Sequence, residues 1–358
     1  MNRNIIVVGA SAGGVEALTN FVKGLPEEIN ASVFIVLHIP SYSRSNLPQI
    51  LSKVTSLSVS HPKDGQKIET GHIYVAPPDH HMLIEENKVA IKKGPKENRF
   101  RPSVDALFRS AAYVYGPRVI GIVLTGALDD GTSGMWSIKR LGGITLVQEP
   151  DEAFFPEMPL NVLEYVNVDH VVPVAKMGRL LETLTNEKAE ETPDISKEEE
   201  ELLKMEVIIS TKDNAFELGI MDKGEFTPLT CPECHGALVR LKEGRLIRFR
   251  CHTGHAFTAS ALLAGITQSS EETLWQAMRA MEEATILMNH IADHFDESGE
   301  KESGEIFRQK AKDNAKRARV IHDSVFNQER LSEDVRYDDD EILNSAIESS
   351  KVSRNGDE

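Results

Sequence analysis

The 358-residue chain lacks any apolar run near the ~20 residues that a bilayer-spanning helix needs, which excludes a transmembrane helix. Its N-terminus is polar and leads straight into a strand-like run, so no secretory signal is read and a cytoplasmic location is expected. Positive charge is not in excess. The formal net charge is −16 and the sequence pI about 5.3, which argues against general nucleic-acid binding. Gly-Lys-Ser/Thr is missing after the first glycine-rich turn, so that turn is not a P-loop. Cysteine is scarce: there are three, an odd number that suits no closed disulfide set. The length leaves room for two or three domains.

What is present begins at once. Ile5-Ile6-Val7-Val8 is a short apolar run, followed by Gly9-Ala10-Ser11-Ala12-Gly13-Gly14 and then by apolar residues at helical spacing from Val15 to Val22. That is strand, tight turn and helix, with a serine at the apex and glycines that keep bulk away from its hydroxyl. A second apolar run, Val33 to Leu37, ends on His38. A third, Val119 to Leu124, opens into Thr125-Gly126-Ala127-Leu128-Asp129-Asp130-Gly131. In a parallel sheet all three polar groups fall at the carboxyl ends of strands, where open α/β folds place their sites. Three readings compete. A Rossmann-type dinucleotide loop wants glycine at Ser11 and an acid near His38. A plain βα turn needs no function at all. A nucleophile elbow explains the serine, with His38 as base and Asp129 or Asp130 as the orienting acid.

Residues 1–185 then resemble the catalytic domain of CheB-type protein-glutamate methylesterases. The motifs are Gly9-Ala10-Ser11-Ala12-Gly13-Gly14, His38-Ile39-Pro40, Asp64-Gly65 with Gly71-His72-Ile73-Tyr74-Val75-Ala76-Pro77, Arg101-Pro102-Ser103-Val104-Asp105, Leu124 to Gly131, Gly142-Gly143 with Val147-Gln148, and Met158-Pro159. The resemblance implies a doubly wound, mostly parallel α/β fold, with Ser11 as nucleophile, His38 as general base and Asp130 as orienting acid. It implies hydrolysis of glutamate methyl esters on chemoreceptor cytoplasmic domains in chemotaxis-type signalling, with glutamine deamidation as a second activity and no cofactor for catalysis. Four positions depart from the family pattern: Ala12 for threonine, Ala127 for methionine, Leu128 for glycine and Glu157 for glycine. The family often carries a receiver domain in front; Met1 lies just before the first strand, so none is expected here and control is expected to come from elsewhere. A scaffold that keeps the fold and recruits partners through its C-terminal parts is the alternative function.

The rest of the chain is of another kind. Residues 186–230 read as an acidic linker and transition, with Glu198-Glu199-Glu200-Glu201 as its centre and a short strand at Val207-Ile208-Ile209. Residues 231–264 hold all three cysteines. Cys231-Pro232-Glu233-Cys234 is followed, after 16 residues, by Cys251-His252-Thr253-Gly254-His255. Such spacing predicts a structural Zn2+ ribbon of Cys231, Cys234 and Cys251 with His255 or His252, the former completing C-x2-C-x16-C-x3-H. Some esterases of this type carry a similar tail. Residues 265–330 predict a helical hairpin, broken near Gly299 and Gly304, and residues 331–358 an acidic, disordered tail. Because every proposed catalytic residue precedes Leu184, a fragment ending near Asn186 is expected to fold and keep catalysis. The ribbon and helices would serve recruitment or control.

Overall fold

The structure, a computed structural model, describes residues 1–212 and 215–326; the tail expected at 331–358 lies outside the described residues. In chain order the elements of the first part are β1 (Ile5–Ala10), α1 (Gly14–Lys23), β2 (Ser32–Leu37), α2 (Leu47–Leu51), β3 (Ser58–Ser60), β4 (Gln66–Lys67), β5 (His72–Val75), β6 (His81–Glu85), β7 (Lys88–Lys92), α3 (Val104–Tyr115), β8 (Val119–Val123), α4 (Thr132–Arg140), β9 (Ile144–Gln148), α5 (Glu157–Tyr165), β10 (His170–Val172) and α6 (Val174–Asn186). Then follow α7 (Lys197–Ile209), β11 (Glu225–Thr230), β12 (Ala237–Glu243), β13 (Leu246–Cys251), β14 (Ala256–Thr258), α8 (Ala259–Glu297) and α9 (Lys301–Phe326).

Seven strands form one sheet in the order β10-β9-β8-β1-β2-β5-β3, every pair parallel. β1, β2 and β8 are buried along their whole length. That follows from their uninterrupted Val/Ile runs, since helices cover both faces of a parallel sheet. Alternation divides the side chains. Ile6 and Val8 pack with Leu18 and Phe21 of α1 and Met177 and Leu181 of α6. Ile5 and Val7 pack on the other face with Leu107 and Phe108 of α3 and Met135 of α4. The chain winds outward from β1 to β2 and returns to β8 on the opposite side of β1. The crevice at the carboxyl end of β1 is therefore the topological switch point.

Two features differ from the sequence reading. Val207-Ile208-Ile209 is helical, not a strand, because it closes α7. The acidic run that suggested a linker is that helix's first turn. Ser196 Oγ accepts the Glu199 amide at 3.2 Å while Glu199 takes the Ser196 amide at 3.0 Å, a capping box, and carboxylates there oppose the positive end of the helix dipole. Farther along, Glu206 and Ile209 are buried.

The ribbon segment forms an antiparallel sheet, β11-β12-β13-β14, with the hairpin turn at Gly244. It belongs to the same compact unit as the parallel sheet, residues 1–262, so the described part of 186–230 is not a spacer between independent bodies. What joins them is charge: Glu97, Arg109, Glu206, Glu243, Arg248 and Arg250 come from five different segments and are all buried. Arg250 Nη2 reaches Glu97 Oε1 at 3.0 Å and Glu206 Oε1 at 2.9 Å; Arg248 Nη1 reaches Glu206 Oε2 at 2.8 Å; Arg109 Nη1 reaches Glu97 Oε2 at 3.0 Å.

The second unit starts at Leu263 and is the expected helical hairpin. Phe295 stacks on Phe307 at 5.6 Å, and Asn314 Nδ2 donates to Met281 O at 2.6 Å. Gly304 lies inside α9 rather than between the helices. A Cβ there would meet Ala292 O at 3.1 Å, so glycine lets the helices approach. No described helix is long and apolar enough to cross a membrane.

Candidate active site

Ser11 follows β1, His38 follows β2, and Asp130 lies in the loop between β8 and α4. The structure brings the three together. Ser11 Oγ is 3.0 Å from His38 Nδ1, and His38 Nε2 is 2.7 Å from Asp130 Oδ2. The tautomer protonated at Nε2 donates to the carboxylate and leaves Nδ1 to accept the serine hydroxyl. The ring lies flat against Phe100, centroids 3.7 Å apart and planes 5° from parallel. His38 Nε2 pairs with Asp130, whereas Asp129, the other candidate, accepts from Thr258 Oγ1 at 2.7 Å.

Asp130 is held from several sides. The first amides of α3 point at it: Val104 N at 2.7 Å from Oδ2 and Asp105 N at 3.2 Å from Oδ1. Ser103 Oγ and Asn98 Nδ2 each donate to Oδ1 at 2.9 Å. Burial pushes its carboxyl up, but the hydrogen bond and charge of His38, with Asn98 and the Val104 amide, outweigh this and hold it below the usual range. Asp105 mirrors it. Its Oδ1 accepts the Gly131 and Gly134 amides at the start of α4, at 3.0 and 2.7 Å. Each of α3 and α4 thus grips a carboxylate that belongs to the other's neighbourhood. Burial and the adjacent Asp130 charge push Asp105 well above the ordinary range. Sequence reasoning had Asp105 and Ser103 within a motif but without a role. It missed Asn98, Phe100 and Thr258; local pattern carried no signal for the last, which arrives from 128 positions beyond Asp130.

Close backbone approach explains Gly126. A Cβ there would lie 2.0 Å from Met158 Sδ and 2.8 Å from Ser11 Cβ. Two of the departures from the family pattern are in contact. Leu128 has φ 61°, in the left-handed region that glycine favours, and its amide donates to Glu157 Oε2 at 2.6 Å. Asn161 Nδ2 holds the Leu128 carbonyl at 2.8 Å. The crevice beside Ser11 and His38 has a volume of about 440 Å³, and Lys96, Arg99, Arg101 and Phe100 are on its wall.

Cys231, Cys234, Cys251 and His255 form a second cluster, with ligand atoms all within 4.8 Å of one another. Cys234 Sγ and Cys251 Sγ are 3.6 Å apart; His255 Nδ1 is 3.7 Å from Cys231 Sγ and 3.6 Å from Cys251 Sγ. A tetrahedron with bonds of ~2.3 Å to sulfur and ~2.0 Å to nitrogen has edges of about 3.5–3.8 Å, so the donors and their spacing fit such an ion. The cluster could hold a metal. His255, not His252, completes it; His252 Nε2 lies 3.4 Å from Thr253 Oγ1.

Fold and site together define a parallel α/β protein with a serine, a histidine and a carboxylate in hydrogen-bonded series at the switch point of its sheet. The CheB methylesterase family profile matches residues 6–181. A Leptospira interrogans protein, provisionally named protein-glutamate methylesterase/protein-glutamine glutaminase, is 36% identical over 192 residues, which span 53% of this chain and 100% of that protein. A Methanosarcina mazei protein-glutamate methylesterase/protein-glutamine glutaminase 2 is 39% identical over 184 residues, 49% of this chain and 50% of that protein. The solved catalytic domain of the Thermotoga maritima CheB methylesterase is similar at 31% identity and a TM-score of 0.49, over 51% of this chain and 100% of that one. The chain belongs to the CheB methylesterase family.

Proposed function

We propose that the protein is a serine hydrolase that removes methyl esters from glutamate side chains of chemoreceptors and deamidates receptor glutamines. The observation that carries the reading is the Ser11–His38–Asp130 series, 3.0 and 2.7 Å long, at the switch-point crevice. Ser11 Oγ attacks the ester carbonyl as its proton passes to His38 Nδ1. The tetrahedral oxyanion collapses, methoxide leaves with that proton as methanol, and an acyl-enzyme remains. Water, deprotonated by the same nitrogen, then releases the glutamate. Asp130 fixes the ring and offsets its positive charge.

The amides of Ser11 and Gly126 already donate to Thr125 O and Phe155 O, at 3.0 and 2.9 Å. Those of Ala12 and Ala127 are therefore our candidates for the oxyanion, each such donor contributing about 3 kcal/mol to the transition state. Backbone donors tolerate the side-chain departures at both positions. The Cys231, Cys234, Cys251 and His255 cluster we assign to a structural Zn2+, since four protein donors leave no open position for chemistry. The test is methanol release from methylated receptor fragments. The unmodified protein should release it and Ser11→Ala, equally folded, should not; equal rates would overturn the assignment.

A further inference from the structure

The sequence divides this chain into an esterase part and an accessory part. One residue of the accessory part nevertheless reaches the acid of the active site from two directions. Thr258, the last residue of β14, is fully buried. Its Oγ1 donates to Asp129 Oδ1 at 2.7 Å, and its amide donates to Asn98 Oδ1 at 2.9 Å. Asp129 is bonded covalently to Asp130. Asn98 bridges Asp130 and Asp105 through Nδ2, at 2.9 and 2.8 Å. The position of the carboxylate that faces His38 is thus set on both sides by groups fastened to Thr258.

The turn that carries Asn98 is fastened by the same strand. Asn98 N donates to Ala256 O at 2.7 Å, and Ala256 N donates to Lys96 O at 3.2 Å. Asn98 and Arg99 both have positive φ, 50° and 74°, a conformation that non-glycine residues hold only when their surroundings enforce it. The turn closes with Phe100 N on Glu97 O at 2.9 Å, which presents the Phe100 ring to His38. One short strand therefore pins both the acid behind the imidazole and the aromatic face on which the imidazole lies. A shift of that strand moves both, and an imidazole displaced by a fraction of an ångström from its nucleophile loses rate steeply.

Resting on the hydrolase reading above, we propose that Asn98 and Thr258 are positioning residues of the Ser11–His38–Asp130 site, so that β14 is a working part of the esterase and not an appendage to it. Neither side chain touches the reacting atoms. Asn98 acts on Asp130 directly, and Thr258 acts through Asn98 and Asp129.

The experiment uses the full chain and compares Thr258→Val, which keeps shape and loses the hydroxyl, with Thr258→Ser, which restores it. Two readouts are taken: steady-state methanol release from methylated receptor fragments, and the downfield proton resonance of the His38 Nε2–H that faces Asp130. Thr258→Val should lower kcat by about tenfold to a hundredfold with KM little changed. It should also shift or broaden that resonance, and Thr258→Ser should recover both. Asn98→Ala should reproduce the valine variant. The inference is overturned if Thr258→Val retains the unmodified kcat and resonance. It is equally overturned if serine fails to restore what valine loses, or if activity falls only with the folded fraction in a melt. Loss of the hydrolase reading looks different. The unmodified protein then releases no methanol, while the resonance still reports whether Thr258 sets the His38–Asp130 contact.

Discussion

Glu206→Gln tests whether the buried charges weld the accessory segment to the parallel sheet. The substitution keeps the side chain's size and its helix propensity in α7. It removes a carboxylate that meets Arg248 Nη1 at 2.9 and 2.8 Å, Arg250 Nε and Nη2 at 3.1 and 2.9 Å, and Arg109 Nε at 3.6 Å. All four side chains are almost completely shielded from water. Breaking a buried pair by removing one partner costs about 3–5 kcal/mol, because the remaining charges cannot regain water. Glutamine still offers one carbonyl acceptor, so the low end, about 3 kcal/mol, applies. In a unit of this size each kcal/mol lowers the melting point by about 2–4 °C, giving a fall of about 6–12 °C near neutral pH.

The pH dependence has a definite sign. Burial pushes Glu206 up, but Arg248, Arg109 and Arg250 outweigh it and hold the carboxyl far below the ordinary range; Glu97 is held down likewise by Arg109, Arg250 and Arg248. A group depressed in the folded state contributes stability in full above its unfolded pKa, about 4.3, and loses it as the pH falls toward the folded value. The gap between unmodified protein and Glu206→Gln should therefore stay level from about pH 8 to 5 and narrow below about pH 4. Differential scanning calorimetry over that range checks it. A melting point unchanged at neutral pH, or a gap that closes when salt is added, would show the charges to be exposed and the reasoning wrong.

A fragment ending at Asn186 lacks Glu206, Arg248, Arg250 and Thr258; contrary to the expectation from motif positions alone, it should melt lower and release methanol more slowly than the full chain, which calorimetry and the methanol assay read. Metal analysis should find about one Zn2+ per chain, and chelation should lower the melting point and speed amide exchange in β14, which starts one residue after His255. Gly126→Ala places a methyl 2.0 Å from Met158 Sδ and 2.8 Å from Ser11 Cβ, so it should lower kcat by about a hundredfold, measured as methanol release.

The parallel sheet and its switch-point crevice were legible because their signals are local. Uninterrupted Val/Ile runs mark strands buried on both faces, and the polar residue at each run's end marks the crevice. The hairpin α8–α9 was legible for the same reason: Met281, Phe295, Phe307 and Asn314 recur at helical steps and face inward. What stayed hidden was the join. Glu206 sits in an acidic run and Arg248 and Arg250 in a basic strand, patterns that ordinarily mark solvated faces. Whether such charges are buried depends chiefly on partners distant in sequence, 42 and 44 residues apart for Glu206 with Arg248 and Arg250, and single-sequence periodicity does not carry that information. Val207-Ile208-Ile209 failed for a related reason. A β-branched triplet favours a strand locally, yet it is the end of a helix nucleated by the Ser196–Glu199 capping box.

Two of the four departures from the family pattern, Leu128 and Glu157, looked independent along the chain and are not. Leucine at 128 keeps the left-handed backbone that glycine would adopt freely, at a penalty of roughly 1 kcal/mol. Glutamate at 157 supplies a charged acceptor to the amide of that same residue, at 2.6 Å, and a hydrogen bond to a charged group contributes about 1.5–3 kcal/mol. Glycine at 157 would offer no such acceptor. The second change therefore offsets the first and holds the loop that leads into Asp129 and Asp130. If so, Glu157→Gly alone should loosen that loop and slow methanol release, whereas the double change Leu128→Gly with Glu157→Gly should restore much of the rate. Additive losses in the double variant would show that the two positions do not compensate one another.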